Sequence, residues 1–173
     1  MKKVIVILGQ TATGKSNLAV KIANKIDGEI ISADSRQVYK GLDIGTGKIN
    51  KKEMKGIPHH LLDVANSKKK FTVVEYAKMT NLAIAEIVTR GKIPIICGGT
   101  GFYIDAVTKG VVFPEVPPNE KLRRVLYSKK AIALFEYLKK IDPERAKNID
   151  PKNKVRLIRA IEIAKALCKV PKI

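Results

Sequence analysis

The stretch Val4–Ser16, VIVILGQTATGKS, decides the fold. Val4–Leu8 is continuously apolar and largely β-branched, which reads as a strand buried on both faces. Gly9, Gln10, Thr11, Ala12, Thr13, Gly14, Lys15 and Ser16 follow, with the spacing G-x-x-x-x-G-K-S. In a loop of that spacing, backbone N–H groups and the N-terminus of the next helix point at phosphate oxygens. Lys15 would neutralise diphosphate oxygens, and the Ser16 hydroxyl would ligate Mg²⁺. From Lys15 onward, Leu18, Ala19, Ile22 and Ile26 recur at the spacing of one helical face. Strand, glycine loop and amphipathic helix form the context the motif requires. Taken alone, the loop says phosphate and leans towards ATP, because most loops of this pattern hold nucleotides.

Working outward, the same pattern repeats. Glu29–Ser32 reads as a second strand, and residues 33–70 as a glycine-rich loop region. Thr72-Val-Val-Glu75 fits a capping box and opens a helix to Arg90, with Val73, Val74, Ala77, Leu82, Ala85 and Ile87 on its apolar side. Gly91 stops it, and Ile93–Cys97 (IPIIC) is a third buried strand. Gly98-Gly-Thr-Gly101 leads into a short helix from Phe102. Strands alternating with helices predict an α/β fold with a parallel sheet flanked by helices, P-loop NTPase-like. The pattern changes at Pro114–Pro118. From Asn119 the chain reads as basic helix in three pieces, broken near Ser128, at Asp142-Pro143 and at Asp150-Pro151.

The charge balance narrows the partner. The 173 residues hold 34 Lys+Arg against 16 Asp+Glu, a net +18. Residues 113–173 alone carry 16 basic and 7 acidic groups, a net +9. Such an excess points to a polyanion, nucleic acid before anionic membrane, and the last third is the segment suited to a phosphate backbone. Cys97 and Cys168 are too few and too far apart for a disulfide framework or a zinc site, which fits a reducing, cytoplasmic setting. The apolar run at the start is shorter than the roughly 7–15 residues of a signal-peptide core. No run reaches the roughly 18 residues of a membrane span.

Three further places invite chemistry. Asp34 and Ser35 lie just past the carboxyl end of the second strand, where open α/β sheets bind ligands. Asp34 can serve as a general base or hold a metal-bound water, or it can simply cap a turn. ICGGTGFY, Ile96–Tyr103, places backbone donors and the Thr100 hydroxyl at another strand end; a ligand-free glycine turn reads equally well. His59-His60 lacks metal-ligand spacing and reads as loop packing or hydrogen bonding. In the last helix Leu157, Ala160, Ile161, Ala164 and Cys168 form an apolar stripe, while Lys152, Arg156 and Arg159 form a basic row. That row is a solvated face or a phosphate grip.

Read together, the motifs resemble one family. GQTATGKS, ISADSRQVYKGLDIGTGK, HHLLD, FTVVEYA and PIICGGTGFYIDAV stand in the order found in bacterial tRNA dimethylallyltransferases, and RLIRAIEI at Arg156–Ile163 resembles the arginine-bearing helix after that family's helical insert. The resemblance implies transfer of a dimethylallyl group from dimethylallyl diphosphate to N6 of adenosine 37, beside the anticodon, in tRNAs that read codons beginning with U. It implies that Gly9–Ser16 is the diphosphate loop, with Mg²⁺ at Ser16. Asp34 becomes the base toward N6, and Thr100 the threonine near the diphosphate and target base. Asp34, Ser35, Arg36 and Gln37 become one tRNA-contacting stretch. Val155, Arg156, Leu157, Ile158 and Arg159 become another, although the family often has Gln where this chain has Val155. The partners implied are tRNA, through its anticodon loop, and the prenyl donor, with the protein a cytoplasmic monomer and no membrane partner.

The implied organisation is a P-loop α/β core at 1–112, a small tRNA-facing helical insert at 113–150, and a helix at 151–173 returning to the core. The insert is shorter than usual around Tyr127–Ile132. Family members carry on past ALCKVPKI into further core helices, basic contacts and another strand, so the expectation is that part of the sheet and tRNA clamp lies beyond this chain. Two competing readings share the motifs. A P-loop small-molecule or nucleotide kinase would hold ATP in the same loop, with Arg123 and Arg124 in a lid. A non-catalytic tRNA-binding fragment needs no complete site.

Overall fold

The computed structural model describes residues 3–111, 113–167 and 170. The chain divides into two compact units, Met1–Val111 and Val112–Ile173.

The first unit is built on a parallel sheet of β1 (Ile5–Leu8), β2 (Gly28–Ser32), β3 (His59–His60) and β4 (Ile93–Gly98), in the order β1-β4-β2-β3. The register sets Leu8 opposite Gly98, and Ser32 opposite Cys97. The carboxyl ends of β1, β2 and β4 therefore finish abreast. Helix α1 (Lys15–Ile26) covers one face, meeting Ile30, Ile95 and Cys97. Helices α3 (Val73–Thr89) and α4 (Gly101–Thr108) cover the other, meeting Ile31 and Ile96. Both faces of β2 and β4 are buried, which is why their sequences run apolar without alternation. Tyr76 of α3 stacks on Tyr103 of α4 at 4.0 Å between ring centroids.

β1 departs from the expectation. Val6 and Leu8 are 39% and 58% exposed, while Ile5 and Ile7 are partly buried, so the strand is covered on one face only. It is an edge strand, and α3 packs over β2 and β4 instead. Two helical faces are also rotated from their predicted positions. In α1 the buried residues are Ala19, Val20 and Ala23, with Leu18 half exposed. In α3 they are Tyr76, Thr80, Ala83, Ile84 and Ile87, while Val74 and Leu82 are exposed. Periodicity locates a stripe, but the packing partner chooses which edge of it goes inside. The capping box at Thr72 forms as read: its hydroxyl accepts from Glu75 N, and Glu75 Oε2 accepts from Thr72 N.

The loop region 33–70 is more ordered than its glycines suggest. It holds a 3₁₀ turn (Ile44–Thr46), a one-turn helix α2 (Lys51–Met54) and strand β3. His59-His60, read as loop, pairs with Ile30 and Ile31. His60 Nε2 sits 2.7 Å from Glu29 Oε2, and Arg90 clasps the same carboxylate with Nε at 3.3 Å and Nη2 at 2.7 Å. Burial raises the Glu29 pKa, but the bonds from Arg90 and His60 bring it below the ordinary carboxylate value.

The second unit contains α5 (Glu120–Tyr127), α6 (Ala131–Ile141), α7 (Pro143–Lys147) and α8 (Lys154–Leu167), interrupted at the three expected breaks and so in four pieces rather than three. The helices of 113–150 and α8 lie in one compact unit. α8 supplies the middle of one shared core, packing Leu157, Ile158 and Ile161 against Leu126, Leu134 and Leu138. Cys168, placed on the apolar stripe, lies outside the described residues. At the centre stands the buried carboxylate of Glu162. It accepts from Asn119 N at 2.6 Å, from Arg123 Nε and Nη2 at 3.0 and 2.9 Å, and from Arg159 Nη1. Its pKa is raised by burial and lowered further still by these donors, for a net fall.

Candidate active site

The glycine loop begins where β1 ends and closes at the start of α1. Gly14 sits at φ +79° and Ala12 at φ +65°, left-handed conformations that curl the backbone and turn its amides inward. Gly14 caps α1 without any side-chain hydrogen bond, and no acidic residue occupies the first turn. The first amides of α1 are therefore left for an anion. Lys15 folds over the loop, donating from Nζ to Gln10 O and to Thr13 Oγ1 at 3.3 Å. Thr13 Oγ1 also donates to Gln10 O at 2.8 Å, a further bond that shapes the loop.

The loop walls a cleft of about 550 Å³. Thr11–Ser16 and Asn17 form one side; Asp34, Gln37, Gly98 and Gly99 come from the ends of β2 and β4. The structure thus brings together the first two motifs read from sequence. Gly98 has a reason of its own: a Cβ there would lie 2.2 Å from Ala33 O. Only glycine lets the ends of β4 and β2 come so close, with Ala33 N donating to Cys97 O at 2.8 Å and Thr100 N to Ala33 O at 3.0 Å.

Asp34 serves the turn and the cleft at once. Its Oδ1 accepts from Arg36 N at 2.8 Å and Gln37 N at 3.3 Å, which is the turn-capping role. Its Oδ2 accepts no hydrogen bond among the described residues. Thr100 follows Gly99 at the start of α4, its Oγ1 accepting from Ser35 N at 3.0 Å. Cys97 lines the cleft, but burial pushes its thiol up to about 11 despite the pull of Lys15, so it stays protonated.

Sequence reading missed part of the wall. Thr46, Gly47, Ile49, Glu53 and Lys55 reach the cleft from the 44–55 segment. The only sequence signal was local: Asn50 and Glu53 form a capping box for α2, visible as N-x-x-E. Nothing in it indicated that the turn folds over the cleft.

In the second stretch assigned to tRNA, the residues do not share one role. Val155 is 61% exposed and Arg156 is exposed, but Leu157 and Ile158 are 0% and 2% exposed and their side chains face the helical core. Arg159 is half-buried, binding Glu162 and donating to Val116 O at 2.9 Å. Lys152 precedes α8, so the predicted basic row is not one helical face. Arg123, considered as a lid residue, is committed to Glu162.

The fold and cleft define an α/β protein of P-loop NTPase-like architecture, with a glycine loop facing a carboxylate. Residues 37–172 match the IPP transferase family, and the chain belongs to that family. It is 47% identical over 162 residues to the tRNA dimethylallyltransferase of Anoxybacillus flavithermus, covering 94% of this chain and 52% of that protein. Against the corresponding protein of Halothermothrix orenii it is 48% identical over 165 residues, covering 92% and 50%. The crystal structure of the full-length tRNA isopentenylpyrophosphate transferase of Bacillus halodurans aligns at TM-score 0.67 and 40% identity, over 96% of this chain and 56% of that one. A eukaryotic dimethylallyltransferase acting on tRNA aligns at TM-score 0.83 and 35% identity, over 95% and 42%. The chain spans about half the length of the curated relatives it matches.

Proposed function

We propose that this cleft binds dimethylallyl diphosphate and that Asp34 activates an adenine N6 in tRNA to take the prenyl group. The observation that carries the reading is the sharing of one cleft by the loop at Thr11–Ser16 and Asp34. An exocyclic amine is a weak nucleophile because its lone pair is delocalised into the ring. As the C–N bond forms and the C–O bond to diphosphate breaks, the N6 proton passes to Asp34 Oδ2, the oxygen not used by the turn. The loop amides and Lys15 receive the charge that develops on the leaving diphosphate.

Mg²⁺ fits this arrangement. The Ser16 hydroxyl is a hard oxygen donor on the cleft, beside the loop that would hold the diphosphate. No cluster of three His, Cys, Asp or Glu side chains occurs among the described residues, so phosphate oxygens and water would complete the shell. A bound Mg²⁺ would neutralise diphosphate charge. The basic excess and the exposed Arg36 and Arg156 support a tRNA partner. No described helix is long and apolar enough to cross a membrane. We place the protein in the cytoplasm as a monomer.

The test is incubation of the 173-residue chain with labelled dimethylallyl diphosphate and a tRNA carrying adenosines at positions 36 and 37. Label appears in tRNA if the reading holds. No label, with a full-length relative active in parallel, refutes catalysis by this chain. Micromolar ATP affinity without affinity for dimethylallyl diphosphate would point to the kinase reading instead.

A further inference from the structure

Ile44 is 99% exposed, the most exposed large apolar side chain among the described residues. Scattered apolar residues on a surface are ordinary. This one differs in how it is held and where it stands. It begins the 3₁₀ turn Ile44–Thr46, whose end, with Gly47, forms part of the cleft wall. The turn is braced from every side. Thr46 Oγ1 donates to Leu42 O at 2.5 Å, Gly47 N to Ile44 O at 3.2 Å, and Lys48 N to Asp43 O at 3.1 Å. Gln37 Nε2 donates to Thr46 O at 3.2 Å and Gly47 O at 3.3 Å.

Beneath the turn lies Lys48, its side chain only 5% exposed. Its Nζ donates to Asp43 Oδ1 and Asp63 Oδ1, each at 2.6 Å, and to Tyr39 O at 2.9 Å. A buried ammonium with three partners is a strong anchor. Exposed Leu42 stands beside Ile44 in sequence, and exposed Arg36 and Lys40 precede the turn. The result is a braced apolar tip beside the cleft wall, on a segment that also carries exposed basic charge.

Resting on the reading that the cleft acts on an RNA adenine, we propose that Ile44 is a wedge. It enters the base stack of the RNA beside the target nucleotide and occupies the space the target base leaves when it turns into the cleft. Reaching the cleft requires unstacking, which is unfavourable. An apolar side chain inserted against base faces offsets that loss, and rigidity matters because a flexible tip would lose the gain in ordering. Aliphatic bulk without hydrogen-bonding groups suits contact with any base face. Arg36 and Lys40 would hold the adjoining phosphates.

The experiment uses the 173-residue chain and an RNA hairpin with a seven-nucleotide loop, carrying 2-aminopurine at the target position. Binding of the parent chain should raise 2-aminopurine fluorescence several-fold as the base unstacks. Ile44→Ala should keep the parent melting temperature, since the side chain touches nothing in the protein. It should weaken binding about tenfold, the scale of losing a buried aliphatic contact, and abolish most of the fluorescence rise. Ile44→Leu should restore both. On a hairpin with an abasic site next to the target, where the base is already unstacked, Ile44→Ala and parent should bind within twofold of each other. Equal binding and fluorescence on the intact hairpin, or equal losses on both hairpins, overturns the wedge and leaves the proposed function standing. Failure of the parent chain to bind any hairpin overturns both.

Discussion

The backbone amide of Ser35 donates to the hydroxyl of Thr100 at 3.0 Å, across 65 residues of sequence. This bond joins the turn after β2 to the start of α4 and so holds Asp34 beside the end of β4. Thr100 thereby helps to shape the cleft. Thr100→Val removes the acceptor and strands a part-buried amide, which costs about 1–2 kcal/mol. The expected outcome is a lower melting temperature and a fall in kcat for prenyl transfer, with Thr100→Ser close to the parent. Thermal melts with steady-state kinetics check it.

Asp34 divides its oxygens between a turn and the cleft. Asp34→Asn keeps the oxygen that accepts from Arg36 N and Gln37 N but removes the base. The fold should persist, with a melting temperature near the parent's, while single-turnover prenyl transfer slows about 10²–10⁴-fold. Asp34→Ala should lose the turn bonds as well, and about 1 kcal/mol of stability more than Asp34→Asn.

Gly98 and Gly99 are adjacent but not equivalent. A Cβ on Gly98 would overlap the Ala33 backbone at 2.2 Å, whereas one on Gly99 would meet Gly9 O at 3.4 Å. Gly98→Ala should destabilise by about 3 kcal/mol, because neither β4 nor β2 can give way. Gly99→Ala should lie within about 1 kcal/mol of the parent. Denaturant midpoints of the two variants decide it.

Glu29 and Glu162 set the acid limit. Both carboxylates have folded pKa values below their ordinary ones, through Arg90 and His60 in one unit and through Arg123, Asn119 N and Arg159 in the other. A depressed carboxylate contributes stability that is present above the unfolded pKa, about 4.3, and is lost as pH falls through the folded value. Stability should be flat from about pH 7 to 5 in respect of these groups and fall below about pH 4.3. Glu162→Gln should flatten that acid limb for the helical unit. It should also lower stability at neutral pH by about 3–5 kcal/mol, since Arg123 and Arg159 lose their buried partner. Urea midpoints across pH read both effects.

The outline of the fold was legible in the chain because its signals are local. An apolar run before G-x-x-x-x-G-K-S, a capping box at Thr72 and a glycine stop at Gly91 each act within one turn of helix or one strand, and each formed. The loop and Asp34 were legible for the same reason: both sit at strand ends, where open sheets place ligands. The family followed from motif order, which is a property of sequence.

What sequence left open depended on partners distant along the chain. Val6 and Leu8 look like core residues until strand order makes β1 an edge. Nothing in the spacing of the last helix shows that Arg159 bonds to Glu162 and Val116 O, or that Leu157 and Ile158 turn inward beside it. The Thr100 hydroxyl accepts from Ser35 N, a tie across the fold that its sequence neighbours do not announce. Ile44 would pass for a buried aliphatic residue in any composition count, yet it stands in solvent, on a turn next to Lys48 and its partners Asp43 and Asp63. Local propensity and spacing wrote the elements and the phosphate loop. Which polar groups are spent on one another, and which remain free at the cleft, was decided only by long-range packing and hydrogen bonding, because a side chain's partners are set by the fold rather than by its neighbours in sequence.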